Sequence, residues 1–253
     1  MMINRRSMMH ILLASLLPRV GWSLGAQSRF DVGELMLPMG TVSRPRAWNH
    51  ALYELVQSTS IETDGKSFPF APDDPQLFEH PFCVMIGTDG FEPLSKRSID
   101  MLQRFLTYGG FILFDDTSGD RNSPFSQSVR RLIRRIFPMK PIAPLRADHA
   151  LYRSFFLLDR PLGRLDSIDF IEGVDVGKVT PMMLFHNDLS GALDRYEDGR
   201  DRYTVIPDGE FQRREAVKLA INMIMYALTS NYKHDQAHVK ELIEDGRLDE
   251  MDF

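Results

Sequence analysis

Two short runs of unbroken apolar residues constrain this chain more than anything else in it. They are "FCVMIG" at 82–87 and "FILF" at 111–114, the second closing abruptly on Asp115 and Asp116. A surface helix interrupts its apolar residues with polar ones every turn, and a half-buried strand alternates. A run that does neither, bounded by Pro81 and Gly87 or by Gly110 and an acid, predicts a strand covered on both faces, as in parallel sheets. The segment between the runs, "LSKRSIDMLQRFLTYGG", predicts a helix. Ser95 is its cap, Ile99, Leu102, Phe105 and Leu106 form its apolar face, and Gly109 suits the left-handed position that ends it. After the second run, Ser123-Pro124 is a cap followed by a first-turn proline. Phe125, Val129, Leu132, Ile133 and Ile136 then line one side of a helix, and Arg130, Arg131, Arg134 and Arg135 the other. Strand, helix, strand, helix is the grammar of an α/β fold with helices on both faces of a mostly parallel sheet.

The rest of the chain extends this pattern. A first strand is expected within 29–37. A helix follows over "AWNHALYELVQSTSI", with Trp48, Leu52, Leu55 and Val56 on one face. Residues 62–81 read as a polar, proline-rich connection in which Leu77 and Phe78 anchor a short helical turn. A proline-broken stretch precedes Leu151, Phe155 and Phe156, which are expected to pack down. Further strands are expected in "IDFIEGVDVGKVTPMMLF", running into His186-Asn187-Asp188. The strongest helix covers 210–229, apolar around most of its circumference and therefore largely buried. The expected organisation is one α/β domain at 27–232 with a polar tail at 233–253.

Residues 1–26 differ in character. "MMINRRSMMHILLASLLPRVGWSLGA" has Arg5-Arg6, an apolar run of about ten residues and a small-residue exit, the order of an export signal. The run is too short for a bilayer that needs about 20 residues. "NRRSMM" resembles the twin-arginine motif, with Met8 and Met9 where that motif has its Phe-Leu pair. The expected location is periplasmic or otherwise exported, with no integral membrane span in the mature chain.

Several function classes find no support. The net charge is −5 and no basic stripe stands out, which argues against a nucleic-acid partner. The arginine cluster at 130–135 reads as a solvated face or as a surface for an anionic partner. The single cysteine, Cys83, excludes an internal disulfide and lies mid-strand, where a buried, inert thiol is expected. There is no GxGxxG, P-loop, HExxH or CxxC. A nucleophile elbow needs Ser, Cys or an equivalent on a tight strand-to-helix turn, and the nearest segment, "IGTDGF", supplies only Thr88.

Ligands in such sheets gather at the carboxyl ends of the strands. The candidate cleft residues there are Thr88 and Asp89 after one strand and Asp115 and Asp116 after the next. His186, Asn187 and Asp188 follow a later one. Paired acids in this position bind a metal, act as acid and base, or cap the loop. With His149, His186 and Asp188, Asp115 and Asp116 would suffice to hold a divalent ion with an open position for water. Each histidine equally suits a cap or a hydrogen-bonded rim position, so no metal site is assigned and no other cofactor is expected.

Taken together, "WNHALYELVQSTSIE", "DPQLFEHPFCVMIG", "LQRFLTYGGFILFDD", "RADHALYRSFF", "FHNDLSG" and "EAVKLAINMIMYALT" resemble, in order, the bacterial family called domain of unknown function 4159. The resemblance spans about residues 30–235. It implies a flavodoxin-like three-layer sandwich similar to the class I glutamine amidotransferase-like and trehalose-utilisation-like folds. It also implies that Trp48, Asp115, Asp116, His149, His186, Asn187 and Asp188 are family-typical residues of a ligand cleft, and it brings no reaction with it. Active members of the amidotransferase-like group use a Cys-His pair, and this chain lacks the elbow cysteine. The expected function is therefore a non-catalytic component of the cell envelope that binds a carbohydrate-like or peptide-like ligand, or an envelope protein. The alternative is a metal-dependent hydrolase acting on a carbohydrate-like substrate.

Overall fold

The computed structural model describes residues 29–244. Seven strands form one sheet in the order β2-β1-β3-β4-β7-β6-β5. They are β1 (Val32–Leu35), β2 (Ser67–Phe70), β3 (Phe82–Gly87), β4 (Phe111–Asp116), β5 (Ile142–Pro144), β6 (Glu172–Val176) and β7 (Val179–Phe185). The five strands from β2 to β7 in that order run parallel, and β6 and β5 add an antiparallel edge. The helices are α1 (Pro45–Ser58), α2 (Lys96–Thr107), α3 (Pro124–Ile136), α4 (Leu189–Leu193) and α5 (Gly209–Glu244).

The two apolar runs are the two central parallel strands, and their strict alternation splits the core in two. Phe82, Val84, Ile86, Phe111 and Leu113 face a layer built from α1, α4 and α5. Cys83, Met85, Ile112 and Phe114 face a layer built from α2 and α3. This is a three-layer α/β sandwich, and it explains why neither run could carry a polar residue. Side chains at neighbouring positions of a strand point to opposite faces, and here both faces are roofed. Cys83 is wholly buried in the second layer, and burial pushes its thiol well above the usual range.

The helix signals operate as the residues suggest. The Ser95 hydroxyl accepts from the Ser98 N–H at 3.0 Å, and the Ser123 hydroxyl accepts from the Ser126 N–H at 2.9 Å. Gly109 has φ +97° and closes α2. All five predicted apolar positions of α3 are buried. Several expectations need correction. Phe78, expected to anchor a turn, and Phe155, expected to pack down, are 49% and 42% exposed. Val56 is 42% exposed, because α1 turns only Trp48, Leu52 and Leu55 of that set toward the sheet. Residues 62–81 hold an edge strand, β2, which tolerates Pro69 because an edge position needs no second ladder bond. The last helix runs on to Glu244, well past residue 229. None of the described helices is long and apolar enough to cross a membrane. The export-signal reading falls on residues 1–26, outside the described residues.

Candidate functional site at the carboxyl edge of the sheet

Asp115 and Asp116 are consecutive on β4, so the pleat sends them to opposite faces. Each is fully buried, and each serves a different helix. Asp115 turns to the α4 side, where its two oxygens accept the N–H groups of Leu189 and Ser190 at 2.8 and 2.7 Å. Asp116 turns to the α3 side. It accepts from the Ser126 hydroxyl at 2.6 Å, from the Ser123 hydroxyl, and from the Ser118 N–H at 2.9 Å. Asp115 thus takes the partly positive free N–H groups at the start of α4, whereas Asp116 holds α3 through the hydroxyls of its cap Ser123 and of Ser126. The abrupt end of the apolar run is therefore the place where the sheet fastens one helix from each outer layer.

The α4 face carries a charge cluster. Asp188, between β7 and α4, sits in the left-handed region (φ 56°, ψ 65°), which aspartate tolerates better than most residues. Its carboxylate accepts from Gly191 N–H at 3.0 Å and from the Arg44 guanidinium at 2.6 Å, and it is ion-paired to Arg164. The Arg44 guanidinium lies 4.8 Å from the centre of the Tyr203 ring, with Arg164 farther out over the same ring. Burial pushes the Asp115 carboxyl up, and the Asp188 charge pushes it further. Bonds from Ser190 and Leu189 pull it back, leaving it at about 7. Burial disfavours the charged form of Arg44, but Asp188 and Asp115 outweigh it and hold Arg44 above its ordinary value. Trp48, the largest buried side chain on this face, donates its indole N–H to the Ser190 hydroxyl at 3.1 Å.

The α3 face carries a relay. His186 Nδ1 lies 3.1 Å from the Ser126 hydroxyl, and its Nε2 lies 3.0 Å from Glu172. Glu172 also pairs with Arg121 at 2.7 Å and with Arg130. Burial disfavours the Glu172 anion. The bonds from His186, Arg130 and Arg121 outweigh that and hold its carboxyl well below the usual range. Serine, imidazole and carboxylate in line resemble an acyl-transfer triad. Here Ser126, His186, Glu172 and Asp116 are all at 0% exposure, and the Ser126 hydroxyl also bonds Asp116. The arrangement locks α3, β6 and β7 together and offers no face to a substrate.

The remaining predicted positions scatter. Asn187 accepts from Ser167 and Ile168 N–H groups and donates to the Ile168 carbonyl at 2.7 Å, so it pins a loop. Thr88 is exposed and bonds to Thr117, and Asp89 is exposed beside it. His149 sits at the opposite edge, capping a turn through Leu151 N–H and meeting Thr180, near the start of β7, at 3.1 Å. Burial lowers its imidazole below the ordinary value. The five residues offered for a divalent ion thus divide: Asp115 and Asp188 lie on one face, Asp116 and His186 on the other, and His149 at the far end. Among the described residues no group of three or more His, Cys, Asp or Glu side chains could hold a metal ion.

A parallel sheet of this order leaves a crevice between β1 and β3, where the strand order reverses. Here the chain itself crosses that point. Val42 N–H donates to the Ile86 carbonyl at 2.9 Å, and a Cβ on Gly87 would meet the Gly40 carbonyl at 2.4 Å. Sequence reasoning missed Arg44, Arg164, Glu172 and Ser126. Only Glu172 left a trace, as a polar residue within the apolar stretch at 170–174.

No curated protein matches the chain. A family described as a domain of unknown function (DUF4159) matches residues 40–228, a span that takes in β2 through β7 and, with them, Asp115, Asp116, Glu172, His186 and Asp188. With three quarters of its length inside that match, the chain belongs to the DUF4159 family.

Proposed function

We propose that this protein is an exported, non-catalytic binding component of the cell envelope, whose α/β domain takes a ligand or a protein partner and turns nothing over. One observation carries this reading. Asp115, Asp116, His186 and Asp188 are buried and engaged in internal hydrogen bonds or ion pairs. A reacting group must reach the atom it attacks or deprotonates. These groups instead hold helices, and the chain's own 37–44 loop lies over the sheet's switch point. The sole thiol supports the same reading, since Cys83 lies in the core with its thiolate strongly disfavoured. The amidotransferase-like ancestry suggested by the sequence would then survive as architecture without its chemistry. The metal-dependent hydrolase alternative would need acids and imidazole that share one ion, and β4 sends its two acids to opposite faces. The envelope location rests on the order of residues 1–26.

Two measurements test the reading. In the first, residues 1–30 are fused to a folded reporter. Export of the reporter is expected, with retention in the Arg5→Lys, Arg6→Lys double variant. A reporter that stays in the cytoplasm regardless removes the envelope assignment. In the second, Asp116→Asn and His186→Gln are compared with wild type by urea unfolding and by turnover of a panel of carbohydrate and peptide substrates. Lower stability with no turnover in any protein is expected. Turnover by wild type that either variant abolishes without loss of stability would overturn the non-catalytic reading.

A further inference from the structure

A groove lies away from the sheet edge, against α3 and the loop that leads into α2. It encloses about 300 Å³. Phe91, Leu94 and Leu132 are buried and form an apolar floor, with Pro93 at the margin. Arg131, Arg134 and Arg135 are exposed and form the rim. Their spacing of i, i+3 and i+4 places the three guanidiniums on one stretch of helix surface, where like charges repel.

Neighbouring arginines show how unusual this rim is. Arg130, one position earlier, is paired with Glu172. Arg131 donates instead to the Ser128 hydroxyl at 2.7 Å, and Arg135 donates to the Leu94 carbonyl at 2.7 Å. Both acceptors are neutral, so they fix the direction of each guanidinium and leave its charge uncompensated. Among the described residues no carboxylate comes within ion-pair distance of these three arginines. The groove thus joins an apolar floor to a fixed cationic rim on a protein whose overall charge is negative.

We propose that this groove binds a phosphate-headed amphiphile, its apolar chain on Phe91, Leu94 and Leu132 and its phosphate among Arg131, Arg134 and Arg135. A phosphate monoester presents three acceptor oxygens and up to two charges, so it can bridge several guanidiniums where a carboxylate serves one fork. Its tail covers exposed Pro93 and the small part of Phe91 and Leu94 that still meets water. This inference rests on the reading of the protein as a binding module, and it supplies a site and a ligand class separate from the sheet edge.

The test is isothermal titration of the full chain with dodecyl phosphate below its micelle concentration. Inorganic phosphate and dodecyl maltoside serve as head-only and neutral-tail controls. One-to-one saturable binding of dodecyl phosphate is expected, tighter than either control. The Arg131→Glu, Arg135→Glu double variant should weaken it by at least about tenfold, the loss of one charge-assisted contact or more. The milder Arg131→Gln, Arg135→Gln variant, checked by circular dichroism, guards against a folding defect. Absence of saturable binding overturns the proposal, as does equal affinity for dodecyl maltoside or affinity unmoved in both variants. Such a failure leaves the non-catalytic reading untouched, because that reading is tested by stability and turnover at the sheet edge.

Discussion

Asp115 offers a pH-dependent signature that follows from its position alone. Its carboxyl lies inside the α4 face beside Asp188, and its folded value stands at about 7 against an ordinary 3.8. Between those two values the folded protein holds a proton that the unfolded chain has released. Stability therefore falls as pH rises, by about 1.4 kcal/mol for each pH unit, and the contribution is complete only below the unfolded value. Over the whole window this amounts to about 4 kcal/mol, of which roughly 2–3 kcal/mol falls between pH 5 and pH 8. Asp115→Asn keeps the shape and cannot ionise. Its amide oxygen still accepts one of the Leu189 and Ser190 N–H groups, and the other is left short of a partner at a cost of about 1–3 kcal/mol at any pH. Urea unfolding of both proteins at pH 5, 6, 7 and 8 isolates the titration of Asp115 and the charges it touches, because groups independent of it cancel in the difference. The variant should be the less stable protein at pH 5. It should gain on wild type with each step, closing or reversing the gap by pH 8, a relative shift in midpoint of about 1 M urea for a domain of this size. Curves that stay parallel within about 1 kcal/mol across the range would show that Asp115 is ionised throughout. In that case Arg44 and the two N–H donors, and not burial and Asp188, govern it.

Two further substitutions probe the neighbouring contacts. Gly163→Ala should destabilise the protein by about 1–3 kcal/mol, because the new methyl carbon would stand 2.2 Å from the Asn187 carbonyl oxygen, a backbone atom with nowhere to swing; an unchanged thermal midpoint would refute the close packing of this loop on the β7–α4 turn. Glu172→Gln should cost about 3–5 kcal/mol at neutral pH, since it leaves the buried His186 and the Arg130 and Arg121 guanidiniums facing a neutral amide. Because the folded Glu172 carboxyl is held below its ordinary range, the wild-type advantage should be present at neutral pH and shrink on acidification below about pH 4, so an advantage that persists in acid would refute the assigned ion cluster.

The legible part of this fold is the part set by local rules. Ser95, Ser123 and Gly109 marked helix ends because capping depends on a few adjacent atoms. The unbroken runs at 82–87 and 111–114 marked doubly covered strands because burial on two faces allows nothing polar between. Short edge strands resisted. β2 contains Pro69 and β5 ends on Pro144, and each exists because a neighbouring strand offers it a ladder. The sheet edge was half legible. The acids at the end of β4 and after β7 announced themselves, whereas Arg44 and Arg164, which pair with Asp188, and Tyr203, whose ring lies under both guanidiniums, come from segments whose sequences carry no periodic signal.

The two acids at the end of β4 also show why spacing can mislead about chemistry. Adjacent carboxylates look like a ready pair, and in a loop they can converge. On a strand the pleat sets them on opposite sides of a layer about 10 Å from each neighbouring layer, so adjacency along the chain becomes separation in space. The residues that do meet Asp116 come from positions 118, 123 and 126, and through Ser126 it reaches His186, just past β7, and then Glu172 on β6. Those that meet Asp115 come from positions 189 and 190. The pleat of a strand, which the unbroken run had already marked β4 to be, therefore argued against a shared metal between its last two residues. Applied one position past the end of β7, the same parity puts His186 on the side of Leu184 and Asp116, away from Asp115. A strand-end acid pair in this fold is better read first as two helix anchors, one for each outer layer, and only then as a site.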